Sequence, residues 1–273
     1  QKIIGRVCGL KIYTNITHGP LLVRNFQILR KHFKYWSSKK PICIHAENVS
    51  LSKLIDLASI YQQPLHVCHV ARASEVSLIQ KAKEKGIPIT CEVTPHHLFL
   101  SQSDKASLGN FGRMKPSLGT KHDQKRLWWA VNNGVIDIIA TDHAPHTKEE
   151  KLSQNPPFGV PGLETMLPLL LTAVSEKRLT MKKLIELTST KPAKIFGLAS
   201  EKNGNFVLVD QAYNIRLKNR KNSFQLDWPP FSGYQVTGQV KEVWIRGKKV
   251  WDGERVLVKP GFGQRINQYQ KNA

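Results

Sequence analysis

Acidic residues are scarce in this 273-residue sequence: 20 Asp and Glu stand against 41 Lys and Arg, a formal charge of +21. Long apolar runs are missing too. The longest, Met166 to Val174, is nine residues with Pro168 inside it, far short of the roughly 18 that a membrane helix needs. Cysteine is sparse. Cys8, Cys43, Cys68 and Cys91 lie 35, 25 and 23 residues apart, each within a β-like run, which argues against a disulfide framework or a CxxC zinc knuckle and for a reducing compartment. The N-terminus, Gln1 to Cys8, has neither an initiator Met nor the apolar core of a signal peptide, so the expectation is a chain that begins inside a longer polypeptide. What remains is 40% hydrophobic and 22% charged, enough to bury one sizeable core and unlike a disordered or collagenous chain.

The first two thirds repeat one unit: a short run rich in Ile, Val and Cys, a polar turn, then a stretch of helical period. Strands are expected at Val7–Thr14, Ile42–Glu47, Leu65–Ala71, Pro88–Pro95 and Val135–Asp142. Each is too uniformly apolar for a half-exposed antiparallel strand and reads as buried on both faces. Helices are expected between them. Val49–Gln62 has an amphipathic stripe, Ser74 is positioned to cap Glu75–Lys85 with Gly86 after it, and Asp123–Asn133 and Met181–Thr190 follow the same pattern. Strands alternating with crossover helices give an α/β parallel sheet. Beyond Ser200 the pattern becomes antiparallel hairpins, with strands at Phe206–Asp210, Val240–Arg246 and Val250–Trp251 and a turn at Gly247–Lys249. The expected division is residues 1–199 and a β-rich appendage, 200–273.

The polar residues mark a site. Each expected buried strand carries near its end a metal ligand or a partner for one: Lys11, His45, His69, Glu92 and Asp142, spaced 34, 24, 23 and 50 residues apart. A charged or imidazole side chain in such a place costs free energy unless compensated, and in a parallel barrel all strand C-termini converge on one face. Neutral imidazoles and carboxylates suit zinc, whereas an ammonium beside the ion would be repelled. A buried Lys11 of depressed pKa resolves the conflict by adding carbon dioxide, since the carbamate is an anion with two oxygens that can bridge two metals. The chemistry expected of such a pair is hydrolytic.

Several motifs together carry a resemblance: Gly9-Leu10-Lys11-Ile12-Tyr13, Ile44-His45-Ala46-Glu47, His66-Val67-Cys68-His69-Val70-Ala71-Arg72, Cys91-Glu92-Val93-Thr94-Pro95-His96-His97 and Ala140-Thr141-Asp142-His143-Ala144-Pro145-His146. The chain resembles the dihydroorotases of the amidohydrolase superfamily, and through Pro161–Leu171 the dihydroorotase domain of the animal trifunctional pyrimidine-biosynthesis polypeptide. The resemblance implies a TIM-type (β/α)8 barrel of which strands four to eight are here, followed by a small C-terminal β-domain. It implies a cytoplasmic zinc enzyme that interconverts N-carbamoyl-L-aspartate and dihydroorotate, as a homo-oligomer or within a multifunctional polypeptide. Lys11 would be the carboxylated bridge, His45 and His69 would hold one zinc, and Asp142 would hold the second and act as general base. A third zinc would take Cys68 and Glu92. His146, the backbone of Phe158-Gly159, Lys115 and the loop at Thr17 would meet the substrate.

Three departures qualify the resemblance. The family's His-x-His strand is not found upstream of Lys11, so the chain by itself is expected to be inactive. His18 follows Thr17 where the family has an aromatic. Lys115 replaces an Arg and lacks its bidentate fork. Two other readings stand beside the dihydroorotase: a hydantoinase or dihydropyrimidinase, which acts on neutral rings, and a noncatalytic scaffold that has lost its metals. The basic balance also suggests nucleic acid, but in Arg30–Lys40 the aromatics Phe33, Tyr35 and Trp36 are expected to pack inward from a helix, so a nucleic-acid partner is disfavoured. Structural roles are preferred for His96, His97 and His143.

Overall fold

The computed structural model describes residues 4–17, 19–36, 39–198, 204–217, 228 and 230–264. Five parallel strands alternate with helices: β1 (Leu10–Tyr13), α1 (Phe26–Tyr35), β2 (Ile42–His45), α2 (Val49–Tyr61), β3 (Leu65–Val67), α3 (Ala73–Glu84), β4 (Ile89–Val93), α4 (Pro95–Phe99), α5 (Lys105–Leu108), α6 (Lys121–Asn132), β5 (Ile138–Ile139) and α7 (Lys148–Leu152). The strands pair in sequence order, β1-β2-β3-β4-β5. The chain forms two compact units, residues 1–162 with 219–230, and residues 163–218 with 231–273. The boundary expected at 199/200 lies outside the described residues.

The strands are shorter than the apolar runs that announce them, because each run continues as a loop that carries side chains to the C-terminal edge. β3 is buried throughout, as β5 is. β1 is not buried on both faces: only Ile12 is shielded. Beyond β1 the sheet continues, among the described residues, only as the single parallel bridge Tyr13–Leu22, so β1 lies at an edge. The helices cover the sheet with Leu51, Leu54, Leu57, Val76, Ile79, Leu127 and Val131, none more than 2% exposed. At roughly 1.5–3 kcal/mol per buried aliphatic side chain, these contacts are a major part of what holds the sheet closed to water.

Local signals set most helix ends. Asn25 caps α1 by accepting from the amides of Gln27 and Ile28, and Thr120 caps α6 while Asp123 reaches back to the Thr120 amide. At α3 the structure differs from the sequence expectation: the helix starts at Ala73, ahead of Ser74. Glu75 accepts from the amides of Ala71 and Arg72, and Asp123 from that of Ala73, so carboxylates rather than the Ser74 hydroxyl hold the start of the helix. On α1, Phe33 and Trp36 pack inward but Tyr35 is 57% exposed, one residue off the buried stripe and beneath Lys34.

The second unit comprises α8 (Leu163–Ser175), α9 (Met181–Ile185), a π-helical turn at Glu186–Thr190, α10 (Lys191–Phe196) and the antiparallel sheet of β6 (Phe206–Arg216), β7 (Gln235–Ile245) and β8 (Lys248–Trp251). The β7–β8 turn is Arg246-Gly247 rather than Gly247–Lys249. Both residues have positive φ, 52° and 72°, the geometry that matches a tight hairpin to strand twist. Gly238 of β7 lies where an added Cβ would be 2.7 Å from the Leu171 side chain of α8, and the Thr172 hydroxyl accepts from the Thr237 amide at 2.8 Å.

Candidate metal centre and substrate loop

Sheet register puts the site on one face. Lys11 pairs with Cys43, Cys43 with His66 and His66 with Thr90, forming one row across four strands. Two residues further along, on the same face, come Tyr13, His45, Cys68 and Glu92. His66 Nδ1 meets the Thr90 hydroxyl at 2.8 Å, and His66 Nε2 meets Glu92 Oε2 at 3.1 Å. His66, Cys68 and Glu92 offer ligand atoms that all lie within 4.8 Å of one another. Sequence reasoning missed His66; the available signal was its spacing of two from Cys68 on a β-strand.

His69 departs from strict alternation. A continuing strand would turn it away from Cys68, but β3 has ended and His69 has φ 39°, a left-handed conformation that is costly for a residue with a side chain. Its Nε2 thereby meets His45 Nδ1 at 2.9 Å. Asp142, beyond β5, is likewise left-handed, at φ 46°. Two expected ligands therefore occupy strained backbone that the surrounding fold must hold in place.

The electrostatics connect the cluster. Asp142, like Lys11, is an exposed residue, yet desolvation of its carboxyl raises it above its ordinary range, with Lys11 and His45 opposing and Glu92 assisting. His69 is held well below the usual imidazole range by burial, then by His45 and Lys11. Burial would raise Glu92, but the hydrogen bond from His66 and the charge of Lys11 hold it low. Burial pushes Cys43 up to about 11 and Cys68 still further up, so both thiols are neutral at pH 7.

Lys11 corrects an expectation. It lies exposed at the sheet edge; partial desolvation lowers its pKa, but Cys68, Tyr13 and Glu92 outweigh this and the net shift is upward.

These residues fit a divalent cation. Among the described residues His69 Nδ1 is buried without a hydrogen-bond partner, a costly state for a polar atom, and His45 Nε2 has the Glu47 carboxylate 3.5 Å away. The donors are imidazole, thiol and carboxyl, the set that zinc favours. His45 with His69 could hold one ion, and His66, Cys68 and Glu92 another.

The residues expected to meet substrate form a separate group. His146 Nε2 donates to the Phe158 carbonyl at 3.1 Å. Lys115 Nζ lies 5.3 Å from the Phe158 ring centre and the Arg113 guanidinium 4.8 Å from it. Gly159 has φ 131°, and a Cβ there would lie 2.6 Å from the Ala144 carbonyl, so only glycine fits. Glu47 links the two groups: its carboxyl is held low first by His45 and, among weaker influences, by Lys115. Thr17 is half-buried on the loop after β1 and no hydrogen bond among the described residues ties it to either group; His18 lies outside them. His143 Nδ1 accepts from the Gly162 amide, a structural bond.

The chain belongs to the amidohydrolase family, whose model matches residues 37–250. It is similar to the multifunctional protein CAD of Squalus acanthias, 44% identical over 98% of this chain and 12% of that protein. It is 36% identical to a dihydroorotase of Methanosarcina mazei, over 84% of this chain and 53% of that one. The chain therefore spans about half or less of these relatives. Among solved structures, the L-hydantoinase of Arthrobacter aurescens matches with a TM-score of 0.89 at 25% identity, covering 95% of this chain and 68% of that chain. The inactive dihydroorotase-like domain of a Chaetomium thermophilum CAD-like multifunctional protein matches with a TM-score of 0.78 at 27% identity, covering 95% and 72%.

Proposed function

We propose that this chain is the larger part of a zinc-dependent dihydroorotase that interconverts N-carbamoyl-L-aspartate and dihydroorotate. The observation that carries the reading is the meeting of His45 Nδ1 with His69 Nε2 at 2.9 Å, beside the His66, Cys68 and Glu92 donor group. His45 and His69 would hold one zinc, Asp142 a second, and Lys11 as a carbamate would bridge them. His66, Cys68 and Glu92 would hold a third. Bound zinc supplies Lewis acidity toward a carbonyl and makes water more acidic.

The chain's own residues do the rest. Asp142, its carboxylate made more basic by desolvation, takes the proton of the attacking water and returns it to the ring nitrogen as the cyclic amide opens. Lys115 and Arg113 beside Phe158 offer cations to a substrate carboxylate, which favours dihydroorotate over a neutral dihydropyrimidine ring. Lys11 must lose its proton to solvent before the neutral amine adds carbon dioxide, and a second proton leaves as the carbamate forms, so a bound cation, which stabilises the resulting anion, would favour the modification. All four cysteines are free, in keeping with a reducing cytoplasm, and no described helix is long and apolar enough to cross a membrane. The similarity to a multifunctional protein supports a place within such a polypeptide or an oligomer.

A noncatalytic role is the second reading, supported by the likeness to an inactive domain. One experiment separates them. The full polypeptide containing this chain, loaded with zinc and labelled bicarbonate, should hydrolyse dihydroorotate in preference to dihydrouracil and show a carbamate carbon resonance that Lys11→Ala removes. Turnover of neither ring overturns the enzyme reading, and turnover with no such resonance removes the carbamate.

A further inference from the structure

Lys151 sits in the five-residue helix α7 and is fully buried, at 0% exposure. A lysine so placed is rare unless paired. Its ammonium donates to three main-chain carbonyls, those of Arg113, Pro157 and Gly159, each at 3.0 Å. An ammonium has three N–H donors, so the group is satisfied by backbone alone. Burial, then Arg113, lowers its pKa to about 8, which leaves it charged at neutral pH.

Trp228 closes the arrangement. Its ring centre lies 5.3 Å from Lys151 Nζ, within cation–π range. Its indole N–H donates to the His146 carbonyl at 2.8 Å, and its ring packs on Phe111 at 5.0 Å. The Gly159 amide also donates to the Arg113 carbonyl at 3.0 Å. One ammonium and one indole thus tie together the chain at 111–113, 146, 157 and 159. Those segments carry Arg113, Lys115, His146, Phe158 and Gly159.

We infer that Lys151, backed by Trp228, is a positioning residue for substrate, gathering three carbonyls so that the Phe158-Gly159 segment, His146 and the Arg113–Lys115 cations stand in fixed relation. Burying a cation without a carboxylate costs several kcal/mol. A neutral cross-link would hold the loop at less cost, but it could not draw three acceptors to one point. The inference rests on the proposed function, since that reading brings substrate to these residues.

The test uses Lys151→Met and Trp228→Phe in the full zinc-loaded polypeptide, with two readouts. The first is hydrogen exchange. In Lys151→Met, amides of residues 111–115 and 157–160 should exchange on the order of tenfold faster or more, while β2 to β4 stay protected. The second is kinetics: KM for dihydroorotate should rise on the order of tenfold to a hundredfold, with kcat changed far less and zinc content unchanged. Trp228→Phe, which keeps a ring against the ammonium and loses the bond to His146, should raise KM by a smaller factor and serves if Lys151→Met does not fold. Unchanged exchange in these segments overturns the inference. Faster exchange with unchanged KM overturns it as well, leaving Lys151 as scaffold only. Absence of turnover in the wild type instead strikes the proposed function, and the exchange readout then decides whether Lys151 orders the loop.

Discussion

His97 makes the stability of the first unit sensitive to mild acid. The imidazole is 2% exposed, its Nε2 donates to the Pro116 carbonyl at 3.0 Å, and its Nδ1 accepts from the Thr94 hydroxyl at 2.7 Å. A carbonyl only accepts, so the proton must sit on Nε2, and Nδ1 is free to take the hydroxyl's hydrogen. A second proton would have to go on Nδ1, against that hydroxyl and in a dry site. Burial foremost lowers the pKa to about 4 against an ordinary 6.5, with the Pro116 bond opposing. Between these values the unfolded chain binds a proton on His97 that the folded chain refuses. The stabilisation is therefore complete above pH 6.5 and is lost as pH falls toward 4; the gap corresponds to about 3 kcal/mol. His69 and His96 are shifted in the same direction, so the whole protein loses more, and a variant is needed to isolate this residue. His97→Gln keeps a donor for Pro116 and removes the titration. Urea unfolding between pH 7 and pH 4, followed by hydrogen exchange at β3 and β4 so that the first unit is read alone, should show the wild type losing about 3 kcal/mol more than the variant. Parallel stability curves for the two proteins would refute the assignment.

Two further tests concern the metal groups and the core. Zinc titration by equilibrium dialysis should show that His45→Ala and Cys68→Ser each weaken a different ion, by more than the roughly 10–100-fold that loss of an outer partner costs; loss of all binding from either substitution alone would show one shared site. Leu51→Ala on α2, at 0% exposure, should cost about 3 kcal/mol in urea unfolding through the cavity it leaves, and a loss below about 1 kcal/mol would mean that the helix closes over the gap.

The order of elements and the parallel sheet were legible in the sequence because they depend on local rules. Uniform apolar runs between amphipathic stretches specify buried strands and crossover helices, and a polar residue at such a strand's end has few bland explanations. Lys11, His45, His69, Glu92 and Asp142 stand out as candidates by this rule, and the motifs around them pointed to the amidohydrolases. Long-range placement could not. The charge state of Lys11 depends on which groups face it, which no local pattern states; burial lowers its pKa, and Cys68, Tyr13 and Glu92 together outweigh that. His66 joined the cluster because register sets it beside Glu92. His69 reached His45 through a backbone angle, and Lys151, an ordinary helical lysine in the sequence, is surrounded by carbonyls that only folding assembles. Residue type and spacing determine which chemistry is available to this chain, because they act over a few bonds. Which of those groups meet, and in what charge state, is decided by contacts between segments far apart in sequence, where burial and neighbouring charges set the energies.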